Sequence, residues 1–542
     1  MPAGGVPLPL PSCPRPDSEL TGPSLRKRKC DIVVNGEGCT SCQVRGAECS
    51  RKHLPLLAAS EPKRSSRARS PRLNGQVVAT VEETTSGLPP KPICVELSQL
   101  YFDFIHDKFH SLFHQPSMIQ DVLDSRAPVV LLYGMMALSA RFSKNPFFQN
   151  TDAREKGRQF SVKCRQFVDL DNVSLITVQA CVLLGAAAVA EGKPAIESVY
   201  YAAACRIAQL LDLPNRVTAT PLEKEVNLRV WWTLCLTDVW SSTGVGLPRL
   251  MVHRDDVPLP MDERVFLQLK RDDTNPVKIS PRPEASLIAQ MIKLNKILAE
   301  INGINNMAVI GQADGAALET AVKNASYHLD EWQAALPDYM RDTPANMARY
   351  AAAGLGGTFV ALHIGYYHYG QLLFYRFLQQ DCHASVPSTH FYANKCKAYA
   401  ANLCELLYTA NSNPNCEVLY SMVGHILVVS STVQLYILLF GVDDDEIKIA
   451  RARLERNFEL LQHLRTFWPT LDMSLIRLRA FHQACRVSMN TSFRLDQWML
   501  RFLSEFAQPV DDKFSKAAEP SSLSWRNMDL NAIPSNLRDF LG

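Results

Sequence analysis

The chain has 542 residues, of which 47% are hydrophobic and 20% charged. That balance excludes wholesale disorder and leaves room for a large core and more than one domain. The net charge of +3 is unevenly placed: residues 1–72 carry 13 Lys+Arg against 6 Asp+Glu, a net +7, and residues 73–542 carry 44 against 48, a net −4. A basic head on a mildly acidic body points to an anionic partner for the head, with nucleic acid first.

Residues 1–25 are rich in proline and glycine and read as an unstructured N-terminus without the apolar stretch of a secretory signal. Residues 26–52 hold the basic run Arg26, Lys27, Arg28 and Lys29 and the cysteines Cys30, Cys39, Cys42 and Cys49. Two thiolates spaced as Cys39 and Cys42 sit on one tight turn and reach a single ion, and four thiolates suffice for one tetrahedral zinc. Gly36, Gly38 and Gly46 supply the tight loops. A reducing compartment with free or metal-bound thiols is expected. The four cations would hold phosphates with steep salt dependence, and the same run suits a nuclear localisation signal. Residues 53–93 are a basic, Pro/Ser-rich linker. Its Lys63, Arg64, Arg67, Arg69 and Arg72 suit an auxiliary signal or a nonspecific DNA arm, and no heptads mark a coiled coil.

From about residue 94 the apolar period becomes helical. Leu97, Leu100, Tyr101, Phe104, Ile105, Phe109 and Leu112 predict one face of an element that Pro116 ends. Val199, Tyr200, Ala203, Ile207, Leu210 and Leu211 predict a second face, stopped at Pro214. Thr220-Pro221-Leu222-Glu223 has the pattern of a capping box with proline in the first turn. Val226, Val230, Trp231 and Leu234 follow on one side. Leu318, Val322, Ala325, Leu329 and Trp332 form a later stripe ending at Pro337, and Ile447, Leu454, Phe458, Leu461 and Leu464 another ending at Pro469. The acidic Asp443–Glu446 run suits an acidic activation patch or, as expected here, stabilisation of the start of that last helix. Residues 418–442 carry no Asp, Glu, Lys or Arg, but His425, Ser430, Ser431, Thr432 and Gln434 predict a buried core helix rather than a membrane span. The charged, proline-containing stretch 268–284 is a break between two halves. With alternating patterns nearly absent, the fold class expected is all-α: a small zinc-cysteine head, a flexible linker and a large helical domain over 94–470, followed by C-terminal helices and a tail over 471–542. The tail mixes Trp525, Leu530 and Phe540 with Asp529 and Asp539, the pattern of an activation segment or of a docked terminal helix.

The segment "RKRKCDIVVNGEGCTSCQVRGAECSRK" resembles the fungal Zn(II)2Cys6 binuclear-cluster transcription factors, whose pattern is C-x2-C-x6-C, a loop, then C-x2-C-x6-8-C. Cys30, Cys39, Cys42 and Cys49 resemble the third to sixth cysteines. The first pair should fall at positions 20 and 23, where this chain has Leu20 and Pro23. The resemblance implies that the two-zinc cluster cannot form as the family builds it. Cys39, Cys42 and Cys49 could hold one zinc, closed by Cys30 or by Cys13, of which Cys30 is favoured because Cys13 stands isolated among prolines. The resemblance also implies that Arg26 and Lys27 lie where the family's base-contacting residues read CGG triplets in the major groove. Two explanations compete for the missing pair: a degenerate domain, or upstream genomic sequence encoding C-x2-C-R that is joined ahead of Arg26. The second is the expectation.

The body resembles the same family's regulatory domain over about residues 97–470. The carrying stretches are "YFDFIHDKFHSLFHQPSM", "LDEWQAALPDYM", "LHIGYYHYGQLLFYRFL" and a block with Arg229, Trp231, Trp232, Asp238, Gly246, Pro248, Asp256 and Pro258-Leu259-Pro260. Trp231 and Trp232 are expected in the core. The resemblance implies a nuclear regulator of RNA polymerase II transcription of metabolic genes, a secondary-metabolite cluster among the candidates, with double-stranded DNA and the transcription machinery as partners, a homodimer as one candidate assembly, and no membrane. The alternative is a regulator that lacks direct DNA binding and acts through protein contacts.

Enzyme signatures are absent from the sequence. Gly244-Val245-Gly246 lacks the third glycine and preceding strand of a dinucleotide loop. His253-Arg254-Asp255 imitates a kinase catalytic loop without its asparagine. His363 and His368 on a tyrosine-rich stretch are expected to pack in the core. No enzyme is expected.

Overall fold

The computed structural model describes residues 87–272, 285–310, 315–378, 387–488 and 502–503. The chain divides into two units, Met1–Glu82 and Glu83–Gly542, and the described residues all lie in the second. The cysteine head, the linker up to residue 86, most of the 268–284 break and the 521–542 tail fall outside them; the last three linker positions, 91–93, already belong to the first helix. What is described is all-α, with no strand among the described residues.

The first helices are α1 (Lys91–Phe104), α2 (Gln115–Leu123), α3 (Val129–Ser139), α4 (Arg158–Phe167), α5 (Leu175–Ala190), α6 (Pro194–Leu210), α7 (Pro221–Val245) and the short α8 (Glu263–Gln268). The later ones are α9 (Leu287–Ile310), α10 (Gly315–Ala335), α11 (Pro344–Ala352), α12 (Gly356–Phe374), α13 (Pro387–Asn411), α14 (Met422–Phe440), α15 (Asp444–Arg465) and α16 (Leu471–Ser488). Sequential neighbours pair most closely, α5 on α6, α12 on α13 and α14 on α15, and α9 packs against α12. One continuous core runs from Ile93 to Leu503, so helices on both sides of residues 273–284 share it.

Two pairs of helices approach through the same device. A Cβ added at Gly185 on α5 would stand 2.4 Å from the Tyr201 ring of α6, and one at Gly370 on α12 would stand 2.5 Å from the Tyr399 ring of α13. Only glycine leaves each ring its place. This explains a correction to the second predicted face. On α6 the buried side is Tyr201, Ala204, Cys205, Ile207 and Ala208, while Val199 and Leu210 are 66% and 67% exposed. The glycine on α5 turns the Tyr201 side of α6 inward, and Val199 and Leu210 are left outside.

The first predicted element also differs. α1 ends at Phe104, residues 105–114 leave the helix, and Pro116 opens α2 instead of ending anything. Asp107 takes φ 60°, a left-handed conformation that stops a helix.

Other elements follow the sequence. Thr220 caps α7 by accepting the Glu223 N–H, and the Glu223 carboxylate accepts the Ala219 N–H. Asp443 caps α15 by accepting the N–H groups of Asp445 and Glu446. All five predicted stripe residues of α10 are buried. α14 is long and apolar enough to cross a membrane, and 83% of its most apolar window is buried within the protein. Its hydroxyls meet partners on neighbouring helices: Ser430 donates to Gln371 and Asn457 donates to Ser431. Tyr375, just after α12, donates to Thr432.

Candidate functional site

The predicted zinc ligands Cys30, Cys39, Cys42 and Cys49 and the basic run Arg26–Lys29 lie outside the described residues. Within the body, the sequence block around Arg229 and its tryptophans becomes one arrangement, a strap of residues 247–262 held against α7.

The strap is bound mainly by its backbone. Asp238 Oδ2 accepts the N–H groups of Leu250 and Met251, both at 2.8 Å. Trp232 Nε1 donates to the Pro258 carbonyl at 2.8 Å. Glu225 Oε1 accepts the Met261 N–H at 3.0 Å, and Arg229 Nη2 donates to the Met261 carbonyl at 2.8 Å. Gly246 makes the turn into the strap with φ 68°, the left-handed value that favours glycine at a helix end. As expected, Trp231 and Trp232 are buried.

Arg229 is the centre of this arrangement. Its Nε donates to Glu225 at 3.0 Å, Nη2 lies 3.9 Å from Glu263, and the guanidinium sits 4.1 Å over the Phe266 ring. Glu263 in turn accepts from the Ser286 hydroxyl and from the Leu287 and Ile288 N–H groups at the start of α9. Burial pushes the Glu225 and Glu263 carboxyls up from their ordinary values, and the Arg229 charge opposes that rise. One guanidinium thus joins α7, α8 and the head of α9.

Beneath α7 runs the irregular segment 105–114. A buried non-helical backbone needs side-chain partners. His106 Nε2 accepts the N–H groups of Leu112 and Phe113 at 2.9 and 3.0 Å, which places the imidazole proton on Nδ1, 3.1 Å from Asp107 Oδ1. Thr233 Oγ1 accepts the Ser111 N–H and donates to the Ser111 carbonyl, and Gln179 donates to the Leu112 carbonyl. Burial raises the Asp107 carboxyl, but His106 and Arg229 more than reverse this and hold it well below the carboxylate range. Burial lowers His110 to about 3, keeping neutral the ring that meets the Tyr101 hydroxyl at 2.7 Å.

These groups are committed to holding backbone. The cavity beside Trp240 and Tyr420 is about 70 Å³, room for a few waters. No group of three or more His, Cys, Asp or Glu able to hold a metal ion occurs among the described residues. The described cysteines are buried and unpaired, and burial raises the thiols of Cys94 and Cys181 to about 11 and that of Cys164 to about 12. Such thiols are inert near neutral pH. His253 and Asp255 lie 3.3 Å apart on the strap, with Asp255 exposed. His363 bonds to the Met340 carbonyl and His368 stacks on Trp240, both fully buried. Glu197 on α6 is a perturbed acid away from Arg229: burial lifts it to about 7, opposed by a hydrogen bond with Ser241.

Sequence reading singled out Arg229, Trp232 and Asp238 but missed Glu225, Glu263 and His106. The spacing of four between Glu225 and Arg229 was a usable sign. Nothing local marked Glu263, whose partner lies 34 residues away.

Residues 98–332 match the fungal specific transcription factor domain. Two uncharacterized transcriptional regulatory proteins of Schizosaccharomyces pombe are similar. One is 22% identical over 457 residues, covering 75% of this chain and 54% of that protein. The other is 23% identical over 331 residues, covering 55% and 34%. The Zn(2)-C6 fungal-type transcription factor FTF1c of Fusarium oxysporum f. sp. lycopersici is 24% identical over 461 residues, 77% of this chain and 48% of that protein. The chain therefore spans a third to a half of the length of these relatives. The α7–strap arrangement lies wholly inside the matched domain. The match ends at Trp332, short of the 470 that the sequence resemblance reached.

Proposed function

We propose that this chain is a nuclear regulator of RNA polymerase II transcription that binds double-stranded DNA through its basic, cysteine-bearing head. The helical body is its regulatory domain. The observation that carries this reading is the match of residues 98–332 to the fungal specific transcription factor domain. The basic head, net +7 over residues 1–72, supports the DNA partner. A regulatory rather than catalytic role for the body is supported by the family match, and among the described residues the buried charged groups around Arg229 hold backbone.

The head carries zinc through Cys39, Cys42 and Cys49, with Cys30 as fourth ligand. Zinc would supply rigidity there, fixing the orientation of Arg26, Lys27, Arg28 and Lys29 on the duplex. Leu20 and Pro23 stand where the family's first cysteine pair falls, so the donor set fits one zinc and not two. The same two positions favour a second reading, a regulator that acts through protein contacts without its own DNA site. Target sites of CGG type, a homodimer and metabolic target genes belong to the first reading.

Elemental analysis of the purified chain with a duplex gel shift separates the two. The first reading expects one zinc per chain and a shift of a CGG-bearing duplex that is stronger than on a scrambled duplex and lost in Cys39→Ser. Two zincs per chain overturn the ligand assignment. No preference for the CGG duplex at physiological salt overturns specific recognition and leaves the protein-contact reading.

A further inference from the structure

A groove of about 630 Å³ opens on the body away from the strap, between α2, the N-terminal turns of α5 and α7, and the loop 215–219. This is within the size range of pockets that bury a small molecule. Its lining mixes apolar side chains, among them Met118, Leu131, Leu222 and Val226, with about as many polar ones. Two nearly buried carboxamides are among the polar ones. Asn227, only 4% exposed, makes no side-chain hydrogen bond among the described residues, yet it lines the groove. Gln179, 5% exposed, spends its Nε2 on the Leu112 carbonyl, and its Oε1 has no partner among the described residues. Neither free amide atom is sealed from solvent, so water meets it in the open groove and a ligand carbonyl or hydroxyl could take that water's place.

The lip adds a third observation. Val217 is 95% exposed on the loop above this space. Charge does not select an ion here. Arg271 is paired with Asp121, and the lining's other two charged residues, Arg216 and Glu223, are of opposite sign. The N-termini of α5 and α7 are already capped by Ser174 and Thr220.

We infer that this groove binds a neutral, mainly apolar small molecule through a carbonyl or hydroxyl seated on the Asn227 and Gln179 amides. Its apolar body would lie between Met118, Leu131 and Val226, under Val217. Binding stands on the groove alone; that it tunes transcription rests on the regulatory reading above, and failure of the DNA shift would leave it intact.

The probe is Nile red, neutral and apolar with one ring carbonyl, titrated into the purified full chain and followed by fluorescence. Saturable one-to-one binding with a blue-shifted emission is expected. Val226→Trp, which fills the space, should abolish it. Asn227→Ala, which removes the amide and keeps the space, should weaken it about tenfold. Val199→Ser, on the exposed apolar side of α6, should leave it unchanged. Circular dichroism confirms that each variant folds, and Asn227→Ala serves if Val226→Trp does not. Absence of saturable binding, equal binding by Val226→Trp and Asn227→Ala, or loss in Val199→Ser would each overturn the inference.

Discussion

Asp238 and Met251 are 13 residues apart, and one oxygen of the Asp238 carboxylate accepts the Met251 N–H while also accepting that of Leu250. A single buried side chain thereby fixes two successive peptide units of the strap. Hydrogen bonds to a charged acceptor contribute about 1.5–3 kcal/mol each, and their loss leaves two donors unmet. Asp238→Ala is expected to destabilise the body by about 2–4 kcal/mol. Asp238→Asn keeps an acceptor oxygen in place and should lose less than half of that. Urea unfolding followed by tryptophan fluorescence measures both.

Arg229 faces two carboxylates in a setting almost without water. Removing one partner of a buried charged group costs about 3–5 kcal/mol, and Arg229→Leu should fall in that range at pH 8. The carboxyls of Glu225 and Glu263 are raised already and rise further without the cation. A group whose folded pKa is raised stabilises the fold at low pH and loses that contribution as pH climbs through the folded value. The deficit of Arg229→Leu should therefore be larger at pH 8 than at pH 5.5. Unfolding midpoints at the two pH values decide it; an equal deficit would show that the charges do not matter.

Glu197 gives a cleaner pH test. Its folded value is about 7, above the ordinary 4.5, because burial disfavours the carboxylate. Its contribution is full below about pH 4.5 and declines as pH rises through 7. Glu197→Gln, neutral at every pH, should match the parent at pH 5 and exceed it by about 1–3 kcal/mol at pH 8.5. A constant difference across that range would contradict the assignment.

Much of the fold could be read from the chain because its determinants are local. Thr220 and Asp443 cap their helices with their own neighbours, and the stripe from Leu318 to Trp332 needs only helical spacing. Where reading failed, the cause was a partner distant in sequence. The period through Phe109 and Leu112 continued, but His106 and Thr233 drew the backbone of residues 111–113 out of the helix. On α6, Val199 and Leu210 read as core, yet the facing surface offers Gly185, and the Tyr201 ring takes the space it leaves. Trp232 was placed correctly in the core, while its bond to the Pro258 carbonyl is a contact with a backbone atom, which no residue type announces. The groove was invisible for the same reason: Asn227 and Gln179 lie 48 positions apart, and only folding leaves both amides facing one space.

The strap is gripped chiefly through carbonyls and N–H groups, so its outward side chains are free to drift. Leu247, Leu250 and Val252 point largely into solvent, and exchange for polar residues there should be tolerated. Proline is the exception at 250, 251 and 261, because each of those N–H groups is held by a carboxylate. Among homologous chains this predicts a variable ribbon lying on an invariant rail: Glu225, Arg229, Trp232 and Asp238 stay, and what they hold changes its surface freely.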